Sequence, residues 1–453
     1  MTKLSARAAG RGKARAAGRG KSPAVGRGKS RAAAAVAALA AAVALAACNP
    51  ASPGSPASGS SSGSSSGSQP AAAASAPAPG APTAATSPAA AGSAGTPAGP
   101  AAGFRVLSMS FVSDQRGFAL GTAGCGRERC PAVLGTTDGG RTWTQLAAPD
   151  ATAPGPDGHC PTEEVLCVDQ VRFATPLIGY AFDTSLYVTT DGARHWQLRV
   201  GNVSSLEAAG GTVVRVATDY PGCGGPLEEV DVAQAGRGTW APLPAPQMVA
   251  TCPPVLYRQG QELLLAAFGN PAGGVAASAA ISRSGNGGRT WTAAAPDSCY
   301  SHQGYGRDGY ASALALAPPA VLVLLCQHQR PGADGSYGPA WIRVSADGGA
   351  SYGPDRAVPF LAHSPGGPGS YQLAATSAGR ILAVEDTSGN GAPGSNILLT
   401  VNGGLSWSTT GHLKAGAPVI LVGFEDPLTA RVAEGDTVWT TRDGGRSWVS
   451  DHF

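Results

Sequence analysis

Beyond Phe104, short apolar runs alternate with turn residues for the rest of this 453-residue chain. The first unit has runs at 106–112 (VLSMSFV), 116–121 (RGFALG), 132–135 (AVLG) and 142–146 (TWTQL). Runs of this length, rich in β-branched and aromatic residues and bounded by Gly, Asp and Ser, predict strands rather than helices. Between the third and fourth runs lies the octet TTDGGRTW, 136–143, with Asp138 and Trp143. Five further octets follow the same pattern. They carry Asp191 and Trp196, Asn286 and Trp291, Asp347 and Tyr352, Asn402 and Trp407, and Asp443 and Trp448. A worn copy, AQAGRGTW at 233–240, keeps Trp240 and has Ala235 in place of the acid.

The acid-equivalent positions 138, 191, 235, 286, 347, 402 and 443 are separated by 53, 44, 51, 61, 55 and 41 residues. Without the worn copy one step would be about twice the others. Four strands per unit, repeated at this period, predict an all-β fold. It is a seven-bladed β-propeller of four-stranded antiparallel blades, with a six-bladed ring as the alternative.

The octets resemble the Asp-box, or BNR repeat, of sialidases and related propellers. In that reading Asp or Asn accepts hydrogen bonds from the turn backbone, Gly supplies angles closed to other residues, and the aromatic packs between sheets. Gly117-Phe118 and Gly179-Tyr180, each ahead of such an octet, are similar to the photosystem II assembly-factor propellers. That resemblance implies a non-enzymatic binding scaffold. The box residues then serve the fold, and six carboxylates or amides spread over as many blades form no catalytic pair.

The first hundred residues have another character. Residues 1–31 hold ten Lys or Arg and no acid, and 32–47 form an uncharged run of Ala, Val and Leu. This order predicts a signal peptide over 1–47. Leu45-Ala46-Ala47-Cys48 resembles the bacterial lipobox, which implies lipidation of Cys48 and a membrane partner through the lipid anchor. Residues 48–103 are nearly all Ala, Ser, Gly and Pro, without charge, and predict a disordered linker ahead of a propeller over 104–453. The chain has 32 basic and 29 acidic residues; without the ten in the signal, 22 basic remain and the net charge is −7. Lys414 is the only lysine left, so no nucleic-acid partner is expected.

Eight cysteines remain after Cys48. An even number in an exported chain points to four disulfides. With the strands of each blade lettered A to D, the blade map puts all eight on the face of the B–C and D–A loops, away from the octets. It suggests sequential pairing: Cys125 with Cys130, Cys160 with Cys167, Cys223 with Cys252, and Cys299 with Cys326. Zinc at the Cys125 and Cys130 pair is the rival, but no second pair with zinc spacing follows. No metal or cofactor is expected.

The same face carries a polar and aromatic run with Tyr300, His302, Tyr305, Arg307, Asp308 and Tyr310. The next loop adds His328, Tyr337 and Trp341. These residue types suit a polar ligand or a partner protein. A sialidase-like hydrolase is the competing expectation. It would need an arginine cluster, a Tyr nucleophile beside a Glu, and an acid/base; Arg105, Arg258 and Tyr371 are the conditional candidates. A glucanase would instead need two carboxylates across the axis, drawn from Asp169, Asp183, Asp219, Glu385, Asp386, Glu425 and Asp426. The preferred expectation is a lipid-anchored module at the outer face of the membrane that binds an envelope protein or glycan without catalysis.

Overall fold

The structure is a computed structural model. It describes residues 102–155, 160, 166–199, 201–217, 229–246, 254–267, 280–294, 299, 309–328, 340–359, 370–386, 394–413 and 419–453. The expected export signal, Cys48 and nearly all of the expected linker lie outside the described residues.

Seven four-stranded antiparallel sheets follow one another in chain order, so the protein is a seven-bladed β-propeller and the six-bladed alternative falls. Blade 1 is β1 (Arg105–Phe111), β2 (Gly117–Cys125), β3 (Glu128–Thr136) and β4 (Thr144–Leu146). Blade 2 is β5 (Gln170–Phe173), β6 (Gly179–Phe182), β7 (Leu186–Thr189) and β8 (Gln197–Arg199). Blade 3 is β9 (Val203–Ala209), β10 (Thr212–Ala217), β11 (Glu229–Gln234) and β12 (Ala241–Leu243). Blade 4 is β13 (Val255–Gln259), β14 (Glu262–Ala267), β15 (Ala280–Ser284) and β16 (Thr292–Ala293). Blade 5 is β17 (Gly309–Ala317), β18 (Val321–His328), β19 (Trp341–Ser345) and β20 (Arg356–Ala357). Blade 6 is β21 (Ser370–Ala375), β22 (Ile381–Asp386), β23 (Asn396–Thr400) and β24 (Ser408–His412). Blade 7 is β25 (Val419–Phe424), β26 (Ala430–Glu434), β27 (Thr437–Thr441) and β28 (Val449–His452).

Burial follows from this stacking. The B and C strands are covered on both faces by adjacent blades, so β6 and β7 are buried throughout, while the outer β8 is exposed. The Gly-aromatic start of the B strand has a local cause. Phe173, the last residue of β5, lies over Gly179, where a Cβ would stand 2.4 Å from its ring. Phe111 covers Gly117 in the same way. The ring of Phe173 also stacks on Phe118 of the preceding blade at 3.5 Å, so one aromatic closes two contacts.

The repeated turn is a closed set of hydrogen bonds. Thr136 Oγ1 accepts from Gly140 N at 2.9 Å and donates to Asp138 Oδ1 at 2.8 Å. Asp138 Oδ1 accepts from Thr142 N at 3.0 Å, and Oδ2 accepts from the Thr142 hydroxyl at 2.6 Å. Burial alone would raise the Asp138 carboxyl, but these bonds from Thr142 and Thr136 hold it down at about 2. Where Asn replaces Asp the amide donates instead: Asn286 Nδ2 reaches Thr290 Oγ1 and Asn402 Nδ2 reaches Ser406 Oγ, both at 2.8 Å. The worn copy in blade 3 keeps the turn without the carboxylate. There Arg237 N bonds back to Gln234 O at 3.0 Å, and Trp240 packs under Arg215 at 4.3 Å.

The turn aromatics tie each blade to the one before it. Trp196 Nε1 donates to Ala147 O at 2.8 Å, Trp407 Nε1 to Ala357 O at 3.1 Å, and Trp448 Nε1 to Thr410 Oγ1 at 3.1 Å. Trp143 begins the ring, and its neighbour is the chain's end: Phe453 lies 5.0 Å from it and 5.2 Å from Phe104.

Each blade is contiguous in sequence, so no N-terminal strand completes the last sheet. The seam between blades 7 and 1 closes by packing, by a backbone bond from Val106 N to Gly435 O at 2.9 Å, and by the side chain of Arg431. Arg431 in β26 is 1% exposed. It donates to Gly139 O at 2.6 Å and Asp114 O at 3.0 Å, both in blade 1, pairs with Glu425, and lies 3.7 Å over the Phe111 ring. Arg380 makes the matching reach from blade 6 to Gly444 O of blade 7 at 2.6 Å.

Candidate binding face and axial cavity

Three disulfides are described: Cys125–Cys130, Cys160–Cys167 and Cys299–Cys326, with Cα separations of 5.8, 5.7 and 5.5 Å. The expected pairing holds for these; Cys223 and Cys252 lie outside the described residues. One placement differs from the sequence reading. Cys125 and Cys130 sit within β2 and β3, which continue to a tight tip at 126–127, rather than in a loop between shorter strands. That hairpin also fixes where the chain enters the propeller, since Gly124 N donates to Ala102 O at 3.5 Å and Arg129 Nη2 to Gly103 O at 3.0 Å.

All three bridges lie on the side of the blades away from the repeated turns, with Cys125, Cys130 and Cys326 in strands and Cys160, Cys167 and Cys299 in the connections between blades. Cys299 and Cys326 are buried, so this bridge is part of the core beside Trp341. Of the residues expected on this face, Tyr300, His302, Tyr305, Arg307, Asp308 and Tyr337 lie outside the described residues. Tyr310 and His328 are placed by backbone only, Tyr310 opposite Gln327 and His328 opposite Gly309. Trp341 differs from expectation. It opens β19 at 3% exposure and packs with Leu264, Leu324 and Cys326, so its ring is core rather than a presented surface.

On the same face two carboxylates are neighbours. Asp169 immediately precedes β5 and Asp183 follows β6. Burial first, then the charge of Asp183, pushes the Asp169 carboxyl up to about 7, against the opposing pull of its backbone and Arg172. Between about pH 4 and 7 the folded chain therefore binds a proton that the unfolded chain has released. This contribution is present below the unfolded value and is lost as the pH rises through 7. Asp169→Asn is expected to raise stability at pH 8 by about 2–3 kcal/mol and to change little at pH 4. Melting curves of both proteins at the two pH values test this; parallel pH profiles would refute it.

The hydrolase candidates do not converge. Arg105 is the exposed first residue of β1, whereas Arg258 is the fourth of five in β13 and therefore near the other end of the axis. Tyr371 is buried at 4% exposure, and its hydroxyl donates to Glu385 Oε1 at 3.3 Å. Burial and Glu385 together push that hydroxyl far above the ordinary phenol range. Among the described residues no group of three or more His, Cys, Asp or Glu is placed to hold a metal.

Sequence reasoning named Arg258 and Glu425 as candidates but did not foresee the cavity that brings them together. A cavity of about 500 Å³ opens on the axis, at the end that carries the repeated turns, lined by inner strands of blades 3 to 7. Glu207, Tyr257 and Arg258 form its polar side, with Leu316, Leu373 and Phe424 among its apolar wall. Glu207 accepts from Arg172 Nε at 2.9 Å. Arg258 is held by Thr212 O at 3.1 Å, Thr212 Oγ1 at 2.7 Å and Gly260 O at 2.9 Å. No motif marks this site, because five blades supply it.

No family model matches the chain, and no curated protein matches it. Among solved structures the chain is similar to YCF48 from Cyanidioschyzon merolae, at 14% identity over 75% of this chain and 96% of that one, with a TM-score of 0.48. It is also similar to YCF48 bound to D1 peptide, at 15% identity over 62% and 79%, TM-score 0.38. A third similarity is to the GH74 xyloglucanase from Xanthomonas campestris, at 14% identity over 76% and 72%, TM-score 0.28. The propeller assignment rests on the strand topology itself.

Proposed function

We propose that this chain is an exported lipoprotein, lipidated at Cys48 after removal of residues 1–47, whose tether 48–103 carries an Asp-box propeller. The propeller binds an envelope protein or glycan and catalyses nothing. The disulfides carry this reading: all three described bridges brace the face opposite the repeated turns, where a surface held in one shape favours recognition. The axial carboxylates support it from the other side. Glu207 and Glu425 are each committed to an arginine, so neither is left as a general acid or base.

One observation favours a sialidase-like hydrolase instead, namely the contact of Tyr371 with Glu385. A nucleophilic tyrosine must lose its proton as it attacks, and burial here opposes that loss. The mature chain, folded under oxidising conditions, is expected to show no turnover of a fluorogenic sialoside or of a mixed glycoside panel. Turnover that disappears in both Arg105→Ala and Tyr371→Phe would replace the binding role with hydrolysis.

A further inference from the structure

Among the described residues, Arg258 in the axial cavity has no carboxylate in contact. Arg172 and Arg258 share one acid, Glu207: Arg172 pairs with it directly, and Arg258 feels its field without contact. The Arg258 guanidinium bonds only to neutral oxygens of Thr212 and Gly260. Across the axis Glu425 is paired with Arg431. Asp426, at the mouth, accepts from the backbone N–H groups of Leu428 and Thr429 at 2.7 and 2.9 Å and lies in the field of Arg442. Arg258, the one arginine in this lining, thus has no carboxylate in contact and lies beside an apolar wall of Leu314, Leu316, Leu373, Val422 and Phe424.

Arg258 is half-buried, and a ligand carboxylate that pairs with it while its body covers the pair from water makes a charge-assisted bond in a drier setting. Arg258 is already fixed in place by its three bonds, so little of its freedom is lost on binding an anion. We propose that this cavity is a binding site for a small amphiphilic monocarboxylate, with the carboxylate at Arg258 and an aliphatic or aromatic body against the apolar wall. Its volume of about 500 Å³ suits a ligand of that size. Glu207, Glu425 and Asp426 in the same lining repel a polyanion. The site lies at the opposite end of the axis from the disulfide-braced face and is independent of the role proposed for that face.

Titration calorimetry of the mature chain with decanoate, decanol and decyltrimethylammonium tests the assignment. Decanoate is expected to bind once per chain, about tenfold or more tighter than decanol, with the quaternary amine weakest. Arg258→Gln should bring decanoate down to the level of decanol. Val422→Trp, which fills the cavity and leaves Arg258 in place, should abolish both, with an unchanged melting temperature showing that the fold survives. Equal binding of decanoate and decanol, tighter binding of the amine, no heat with decanoate, or an undiminished decanoate affinity in Arg258→Gln would each overturn the proposal.

Discussion

Arg431→Met is expected to destabilise the propeller by about 3–5 kcal/mol, the cost of leaving one member of a buried ion pair without its partner. The side chain joins Glu425, two carbonyls of blade 1 and the Phe111 ring at the one junction where the ring must close on itself. Elsewhere each blade is continuous with the next through the backbone. At this seam only side chains, hydrogen bonds and packing connect blades 7 and 1. The loss should appear as a fall in melting temperature of roughly 5–10 °C at pH 8. Burial already raises the Glu425 carboxyl, and Arg431 opposes the rise. Without the arginine the folded value climbs further above the unfolded one, so the added destabilisation belongs to high pH and shrinks as Glu425 takes up a proton. Arg431→Met with Glu425→Leu should recover much of the loss. A single variant that melts within about 1 °C of the parent would show that the seam does not depend on this pair.

Removing the Cys299–Cys326 bridge by double substitution to alanine is expected to cost about 3–4 kcal/mol, from the chain entropy released by opening a closure of 27 residues. Both sulfurs are buried against Leu264, Leu324 and Trp341, so the loss of packing adds to the loss of cross-link. The same change at Cys125 and Cys130 should cost less. That closure spans five residues, and the hairpin is held by its own ladder at the exposed tip of β2 and β3. Melting the two double variants beside the parent without reductant orders the effects. A larger fall for the 125–130 variant would contradict this account.

What could be read from sequence was what is local. The octets announce themselves because Thr136, Asp138 and Thr142 satisfy one another within seven residues, and their spacing gives the blade count even where Ala235 has replaced the acid. The described disulfides followed from the same map. Four features escaped because they depend on curvature and closure. Trp341 follows a polar stretch, yet it faces inward across the blade 4 and blade 5 interface. Arg258, named beside Arg105 as a hydrolase candidate, lies near the end of its inner strand, while Arg105 opens its own. Arg431 had a visible sign, an arginine between Ala430 and Val432 in an otherwise apolar stretch, but Arg215 stands between Val214 and Val216 in the same way and pairs within its own blade. The partners of Arg431 across the seam, however, are Asp114 and Gly139, more than 290 residues away. The cavity needs five blades in register around one axis, and no window of sequence contains that.

The contiguity of the blades has a consequence for how such a chain can be rearranged. Phe104 and Phe453 touch, so the beginning and end of the ring are neighbours in space. A short peptide joining them, with a new opening cut in any loop between consecutive blades, would give a circular permutant in which all seven sheets remain whole. In a ring closed by strand exchange one sheet is always built from both ends of the chain, and such permutation moves the exchanged strand. Here the seam is simply one more blade-to-blade interface, and a whole blade is the natural unit by which the ring can be shifted.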